Sequence, residues 1–327
     1  MKIAVCGSIA TDHLMTYQGR FTDSLIPDAL DKISLSFLVE DLQVRRGGIG
    51  ANISFGMAKL GHRPILVGSV GEDFGSYRSW LERHGVDCSH VHVSETRHTA
   101  RFVCTTDTEM AQIATFYAGA MSEAREIELG PIVDAVGGLD LVVVSPDDPE
   151  AMLRHCAECR SRGLRFVSDP SQQLAFMDGD SIRRLVDGAY YLVTNEYEAA
   201  LTEQKTGWSA EEILDRVSYR VITHGRDGAS IHAKGQDSIH VPIAKPVERV
   251  DPTGVGDAFR AGFLTGLAWE LDHERSAQIG SMLAGCVLET VGTQEYDFSR
   301  AQFLDRFGTA YGQAAADEVA PHLGLAG

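Results

Sequence analysis

Residues 251–266 have the sequence DPTGVGDAFRAGFLTG, a glycine-rich turn that leads into an apolar segment. From Ala258 onward, apolar residues recur every three or four positions, which predicts a helix packed on one face. Gly254 and Gly256 leave the backbone without side chains where this helix exposes its unpaired N–H groups. A bare, positively polarised helix end is a potential anion site.

The first turn of this helix also contains an acid, Asp257. A carboxylate would repel an anion, so Asp257 is counterproductive if the site only binds one. It is useful if the carboxylate accepts a proton from a hydroxyl that attacks phosphorus, while the backbone N–H groups receive the developing charge. The stretch therefore indicates phosphoryl transfer. Taken alone, it is equally consistent with an Asp257 that only complements the helix dipole.

Apolar, β-branched runs alternate with amphipathic segments along most of the chain. The runs are KIAVCGS, ILVGSVG, LDLVVVS, LRFVSDP, YYLVTN and YRVITHG. The segments between and after them are 52–60, 76–84, 149–162 and 181–187, with two longer ones following Gly254 and Asp272. This alternation predicts an α/β fold with a mostly parallel sheet and helices on both faces. Ligands bind at the carboxyl ends of such strands, where Asp169, Asn195 and Thr223 stand.

Two stretches, 14–46 and about 91–120, break this pattern because they have no helical period. The sequence TARFVCTTDTEMAQIATFYAG alternates like two strands joined around residues 107–109. We expect both stretches to form a small second sheet that lies as a lid over the main one, within a single domain spanning residues 1–327.

Composition limits the partners that are plausible. With 327 residues, 44% of them hydrophobic, the chain is typical of a globular protein, and its net charge of −17 argues against a surface for nucleic acid or acidic membranes. The short apolar run at the N-terminus meets Asp12 early, so we expect no signal peptide and a cytoplasmic location. Cys156 and Cys159 could be half of a zinc site, but with no second pair we interpret them as two small residues on one helix face.

Two common nucleotide-binding motifs are missing from the sequence. It has no GxxxxGK[ST] loop, and neither GGIGAN nor GVGDAF completes a GxGxxG fingerprint. A second glycine-rich segment, RRGGIGANISFGMAKLG at residues 45–61, instead precedes a predicted helix that Gly61 ends. By itself this segment is also explained as a tight loop with an asparagine cap.

Together, the early GG.GAN segment and the late GVGD segment, about 200 residues apart, resemble the ribokinase-like, or PfkB, family of carbohydrate and nucleoside kinases. The resemblance covers nearly the whole chain. It implies a three-layer α/β sandwich with a small β-sheet lid, ATP as the phosphate donor and Mg²⁺. The resemblance leaves open whether a monovalent cation such as K⁺ is also used.

The resemblance also implies roles for individual residues. Asp257 matches the catalytic base, and the N–H groups of Gly254, Val255 and Gly256 match the anion hole; the family commonly has alanine at the position of Val255. Asn195 and Glu198 in TNEYE resemble the NxxE motif that positions Mg²⁺ and phosphates through water, although a polar helix start also explains them. The residues that resemble the turn lining the ATP site are Thr223, His224 and Gly225, with Gly256 beside them.

On the acceptor side, we expect Asp12 on the turn GSIATD after the first strand, where it matches the residue that grips two vicinal ribose hydroxyls, completed by Asn52 and the Gly48 backbone. A local Asx turn is the alternative role for Asp12. The stretches SIATDHLM, KISLSFLVEDL, HTARF, QIATFYAGAMSEA and DPSQQLA are most similar to actinobacterial-type adenosine kinases. On that resemblance the nucleoside would face Ser8, Ser36, Phe102, Phe116 and Gln173, with the two aromatics stacking on a purine or only packing the lid.

The sequence thus predicts an ATP-dependent kinase for the 5′-hydroxyl of a nucleoside, adenosine above all, acting in purine salvage. A sugar kinase for ribose or a ketose is the first alternative. A non-catalytic nucleoside- or sugar-binding regulator is the second, although an intact Asp257 speaks against it. Because lid sheets have edges and a face to cover, and related kinases often pair through this lid, we also expect a homodimer.

Overall fold

The computed structural model of the chain describes residues 1–25 and 34–325. The strands in that part are β1 Ile3–Cys6, β2 Ala10–Thr16, β3 Asp41–Gly47, β4 Ile65–Val67, β5 Ser69–Gly71, β6 His92–Ser94, β7 Ala100–Thr106, β8 Gln112–Tyr117, β9 Leu141–Val144, β10 Phe166–Ser168, β11 Tyr191–Asn195, β12 Tyr219–Thr223, β13 Ala229–His232 and β14 Ile239–Val241. The helices are α1 Phe21–Ser24, α2 Ile49–Lys59, α3 Gly75–His84, α4 Leu129–Val136, α5 Pro149–Arg162, α6 Gly179–Val186, α7 Glu196–Thr206, α8 Ala210–Leu214, α9 Val255–Ala268, α10 His273–Leu288, α11 Arg300–Tyr311 and α12 Gln313–Val319. Short 3-10 turns cover Glu72–Phe74, Gly119–Glu126, Ser171–Ala175, Gly225–Asp227 and Ala320–Leu323.

The main sheet has the strand order β14-β13-β12-β11-β10-β9-β1-β4 in the described residues. The strands from β12 to β4 are parallel, whereas β13 and β14 are added antiparallel at one edge. Every apolar run quoted above lies in this sheet, so the predicted mostly parallel sheet is confirmed. The run ILVGSVG differs in one respect: it divides at Gly68 into β4 and β5, and β5 leaves the main sheet to pair with β6.

Helices cover both faces of this sheet because successive strand residues point to opposite sides. Ile3, Val5 and Val143 pack into one buried core with α2, α3 and α9–α12. Their strand neighbours enter a second core with α4, α5, α6 and α8, as seen for Ala4, Cys6, Val142, Val144 and Phe166. The three layers of the predicted sandwich are therefore present. Cys156 and Cys159 lie side by side in this second core as free buried thiols on α5.

The small sheet has the order β3-β2-β7-β8. The strand of this sheet that comes first in the sequence, β2, begins at Ala10, earlier than the predicted start at residue 14. In the second stretch, β6 at residues 92–94 pairs with β5 instead of joining this sheet, and residues 26–33 of the first stretch lie outside the described residues. The predicted hairpin between β7 and β8 is present, with residues 107–111 as its turn.

Register fixes which side chains share a face of the small sheet. Arg45 on β3 pairs with Asp12 on β2, Asp12 with Phe102 on β7, and Phe102 with Phe116 on β8. Laterally paired strand residues point to the same face. The four side chains therefore form one row, which we call the lid row. Asp12 was expected on a turn after the first strand, but it lies inside β2, because the chain re-enters an extended conformation at Ala10 after only three residues.

None of the helices among residues 1–25 and 34–325 combines the length and the apolar character that crossing a bilayer would demand.

Candidate active site

The N-terminus of α9 meets the carboxyl edge of the main sheet. Gly254 caps the helix at a φ of 77°, a conformation that side chains disfavour, and a Cβ there would come within 2.8 Å of the Thr293 methyl group. Within the described residues, the N–H groups of Gly254 and Gly256 have no hydrogen-bond partner, whereas that of Val255 donates to the Pro252 carbonyl at 3.3 Å. Two unpaired donors thus point out of this helix end.

Asp257, in the same first turn, is held by a side chain from another helix. The Asn52 amide on α2 donates to its Oδ2 at 2.9 Å. Burial raises the pKa of the Asp257 carboxyl above its usual value, while Arg260 and this hydrogen bond act in the opposite direction. A buried carboxylate with a raised pKa is a better proton acceptor than an exposed one.

Asn52 is itself buried and fully oriented by its neighbours. Its Oδ1 accepts hydrogen bonds from the Thr293 hydroxyl at 3.0 Å and from the Gln294 amide at 2.9 Å. Gln294 also donates to the Tyr77 hydroxyl, which donates to the Gly47 carbonyl. Because Oδ1 is occupied by donors, the Nδ2 group must face Asp257, and one of its two hydrogens is left for a ligand.

The loop before α2 needs its glycines for close backbone approach. Gly48 has a φ of 92°, and a Cβ there would lie 2.5 Å from the Ser8 carbonyl oxygen. At Gly50, a Cβ would meet the Gly7 backbone at 2.7 Å. The GG.G spacing therefore brings the start of α2 against the end of β1, so that Asn52 reaches Asp257.

A buried ion pair stands behind the base. Arg260, one turn after Asp257 on α9, donates from Nη2 to Asp169 Oδ1 at 2.6 Å, and its Nε lies 2.6 Å from Asp169 Oδ2 as an ion-pair contact. Its Nη2 also lies 3.8 Å from a carboxylate oxygen of Glu198. Asp169 is fully buried, and desolvation raises the pKa of its carboxyl to about 7 even though Arg260 lowers it.

Asn195 and Glu198 form a capping box at the start of α7. The Glu198 N–H donates to the Asn195 side chain at 2.8 Å, and the Asn195 N–H donates back to Glu198 Oε2 at 2.8 Å. This is the polar helix start that was the alternative interpretation of NxxE. The box places both side chains at the edge of the sheet, with Glu198 facing Arg260.

A cleft of about 600 Å³ opens beside the N-terminus of α9. Its walls include Asn195, Thr223, Gly225, Val255, Gly256 and Arg260, together with apolar residues of α9 and α10. His224 differs from its neighbours in the same turn. Its ring bonds Glu196 at 2.8 Å and Ser230 at 2.7 Å, and it lines a separate depression beyond the cleft. Thr223 and Gly225 thus reach the cleft directly, whereas His224 links the start of α7 to strand β13.

On the lid, Asp12 lies next to the glycine loop, since a Cβ at Gly47 would come within 3.1 Å of its Oδ2. Burial and the nearby Glu295 raise the pKa of Asp12 to about 6, and Arg45 opposes them. Phe102 is partly buried beside it, and Phe116 is 56% exposed at the far end of the lid row. The lid row therefore offers both an apolar and a hydrogen-bonding surface.

Of the remaining predicted residues, Ser8 and Gln173 lie near each other, whereas Ser36 is exposed. Ser8 accepts the N–H of Ile49 at 3.0 Å, and the Gln173 amide donates to the Asp147 carbonyl at 2.7 Å. The Ser8 N–H donates to the Pro146 carbonyl, so both residues flank the same turn after β9. Ser36 is exposed and forms no hydrogen bond with a described residue. Its neighbour Phe37 packs on Tyr17 instead, with ring centroids 4.8 Å apart.

Comparison with known proteins decides the family. The sequence pattern of the family described as "pfkB family carbohydrate kinase" matches residues 7–299 of this chain. The chain belongs to this family.

Several known kinases resemble the chain over most of its length. A nucleoside kinase of Methanocaldococcus jannaschii is 30% identical over 90% of this chain and 92% of its own. The solved nucleoside kinase of Burkholderia thailandensis in complex with ADP-inosine is 35% identical, with a TM-score of 0.80 over 95% of this chain and 96% of its own. A ribokinase of Bacillus subtilis is 25% identical over 90% of this chain and 94% of the relative. The expected ribokinase-like fold is thereby confirmed.

Sequence reasoning missed several residues around this pfkB site. Thr293, Gln294 and Glu295 lie in GTQEYD after α10, where no spacing distinguishes them. Arg260 carried a usable signal, since it is a charged residue within an apolar helix and almost fully buried. Such a residue requires a buried partner, which the acid at the end of β10 supplies.

Proposed function

We propose that this pfkB kinase transfers the γ-phosphate of ATP to the 5′-hydroxyl of a nucleoside, adenosine first among them, as in purine salvage. The observation that carries the proposal is the lid row. It combines a carboxylate for vicinal hydroxyls, Asp12, with two aromatics in register beside it, Phe102 and Phe116. A plain sugar can bind the carboxylate through its hydroxyls, whereas a purine nucleoside can also stack its base on the aromatics.

The transfer itself uses the end of α9. Asp257 accepts the proton of the 5′-hydroxyl while that oxygen forms its bond to the γ-phosphorus of ATP. The bond from this phosphorus to the bridging oxygen breaks, and ADP leaves with the electron pair. The unpaired N–H groups of Gly254 and Gly256 donate to the phosphoryl oxygens as charge develops. Asn52 keeps the Asp257 carboxylate aimed at the acceptor.

The ATP side of the proposal rests on the cleft next to this helix end. Its volume of about 600 Å³ suits a nucleotide, and Gly225 and Gly256 leave parts of its wall without side chains. The relative from Burkholderia, solved with ADP-inosine, supports a nucleotide and a purine nucleoside bound together on this fold.

The side chains at this edge also fit Mg²⁺. Residues 1–25 and 34–325 contain no group of three acidic, histidine or cysteine side chains that could cage a metal, but Mg²⁺ commonly keeps its waters and uses one or two carboxylates plus substrate phosphates. Glu198 would hold it through water, with Asn195 beside it. When bound, Mg²⁺ neutralises charge on the β- and γ-phosphates.

We also propose that the chain forms a homodimer through the outer face of the lid. On the side opposite the lid row, Leu42 and Val44 of β3 and Ile113 of β8 are about half exposed. An apolar sheet face left to water is costly, and a second copy of the same sheet would cover it.

The test of the proposed function is an ADP-release assay with adenosine, inosine, ribose and fructose, each against a reaction without acceptor. We expect adenosine to give the highest kcat/KM. Turnover preferring ribose or fructose would support the sugar-kinase alternative. Nucleoside binding without any ADP release, checked by thermal stabilisation, would support the regulator alternative.

A further inference from the structure

Arg260 lies between the proposed base and the ATP cleft. It is only 8% exposed, and it lines the cleft from the second turn of α9. Helical side chains point back toward the N-terminus, which carries its guanidinium over the first turn. A Cβ at Gly256 would come within 2.8 Å of Arg260 Nη1, so this nitrogen lies directly against the proposed anion hole.

The guanidinium uses its two edges differently. Nη2 donates a hydrogen bond to the buried Asp169 and also approaches Glu198 at 3.8 Å, while Nε lies 2.6 Å from the second Asp169 oxygen as an ion-pair contact. Nη1 makes no hydrogen bond with any residue in 1–25 or 34–325. Asp169 therefore fixes the plane of the group and leaves one pair of N–H donors free at the cleft wall.

We infer that Arg260 is a further catalytic residue of the proposed kinase, whose Nη1 donates to the γ-phosphoryl group during transfer while Asp169 holds the other edge. The inference deepens the proposed function and rests on it. Three carboxylates surround this position, Asp169, Glu198 and Asp257, and their field opposes a phosphate. A fixed guanidinium offsets that repulsion where charge develops, and removing one such donor typically slows catalysis about 10²- to 10³-fold.

A purely structural role for Arg260 makes a different prediction, and charge-matched variants separate the two. Arg260→Gln removes the free donors but leaves Asp169 buried without its partner. Asp169→Asn keeps the donors and breaks the charge pair. The double variant Arg260→Gln/Asp169→Asn removes both charges, so it restores neutrality without restoring the donors.

We expect Arg260→Gln to lower kcat at least about 100-fold and the double variant to be equally slow. In both variants, the dissociation constant of the acceptor should change by less than about threefold. Asp169→Asn should keep more than about a tenth of the parental kcat. Recovery of the double variant to the rate of Asp169→Asn would overturn the inference, because neutralising Asp169 would then be the whole role of the arginine. If Arg260→Gln does not fold, Arg260→Lys replaces it, since lysine keeps the charge without the fork.

A binding measurement tests Arg260 independently of the acceptor. With Mg²⁺ present, Arg260→Gln should weaken the ATP analogue AMP-PNP at least about tenfold more than ADP, because only the former carries the γ-phosphoryl group. Equal weakening of both nucleotides would contradict the inference. If the parent phosphorylates no nucleoside or sugar, the proposed function fails, and this comparison still decides whether Arg260 contacts the γ-phosphate.

The matched control is Arg154→Gln. Arg154 on α5 also bonds two carboxylates, Glu128 at 2.7 Å and Glu158 at 3.2 Å, but it lies outside the cleft. Its replacement should leave kcat and the AMP-PNP to ADP ratio unchanged. A loss in this variant equal to that in Arg260→Gln would show a general effect of removing a paired arginine, against the inference.

Discussion

Among single residues, the proposed phosphoryl transfer depends most on Asp257. Replacing it with asparagine preserves shape and the contact with Asn52 but removes the ability to accept a proton. We expect kcat to fall about 10²- to 10⁴-fold, the usual worth of general-base catalysis, while adenosine still binds. Steady-state kinetics and a thermal-shift titration measure the two effects.

The matched control for that variant is Asp180→Asn, which alters an exposed aspartate in the first turn of α6. If only the helix dipole mattered, both substitutions would cost similar stability and neither would affect turnover. Asp257→Asn working within a few-fold of the parent would mean that this carboxylate is not the base.

The acid dependence of activity should come from Asp12. With its pKa raised to about 6, this group becomes protonated as the pH falls through 6, and it then loses one of the oxygens that accept ribose hydroxyls. We therefore expect kcat/KM to be constant at higher pH and to fall on the acid side. Because Glu295 contributes to the shift, Glu295→Gln should move this acid limb to lower pH. A limb that stays in place in Glu295→Gln would mean that another group controls it.

These residues differ in how far sequence could reveal them. Asp257 and Asn52 stand in glycine-rich motifs whose chemistry is local, so they were predicted. The partners that orient them, Thr293 and Gln294, come from a loop more than 240 residues away from Asn52. Only the folded chain brings those side chains together, and no local sequence pattern predicts their contact.

At the scale of elements, the lid row carries substrate preference. Truncating Phe102 and Phe116 together to alanine should weaken adenosine at least about tenfold, because stacking one base is worth about 1–3 kcal/mol and about 1.4 kcal/mol is tenfold. Ribose, which has no base, should be affected much less. Values of kcat/KM for adenosine and ribose measure the difference.

Asp12→Ala is the contrasting variant within the same row. It should damage both acceptors, since each presents the ribose hydroxyls to this carboxylate. Parallel losses of adenosine and ribose in the double phenylalanine variant would instead mean that the aromatics only hold the lid together.

The elements were predicted better than their pairing. Period and turn residues located β7, β8 and the hairpin between them, but β6 pairs with β5 outside the lid. Strand partners are chosen by packing across the molecule, which alternation within one strand does not encode. For the same reason, the sequence did not predict the row that Asp12 forms with the two phenylalanines. The paired residues of β2 and β7 lie some 90 residues apart in the chain.

At the scale of the whole molecule, the lid also controls assembly in this account. Light scattering at micromolar concentration should give the mass of a dimer, and Val44→Lys should convert it to a monomer by placing a charge on the outer face. His240→Lys, on the distant edge strand β14, is the matched control and should remain dimeric. A monomeric parent would remove the dimer proposal and leave the catalytic argument intact.

The central claim is that the γ-phosphate reaches the 5′-oxygen of adenosine with Asp257 as the base. The most direct measurement identifies the product from adenosine and ATP by mass spectrometry and ³¹P NMR, with 5′-deoxyadenosine as the control that keeps the purine and vicinal hydroxyls. We expect 5′-AMP from adenosine, and binding of 5′-deoxyadenosine without ADP release above background. A phosphate on the 2′- or 3′-oxygen, or no phosphorylated adenosine, would contradict it.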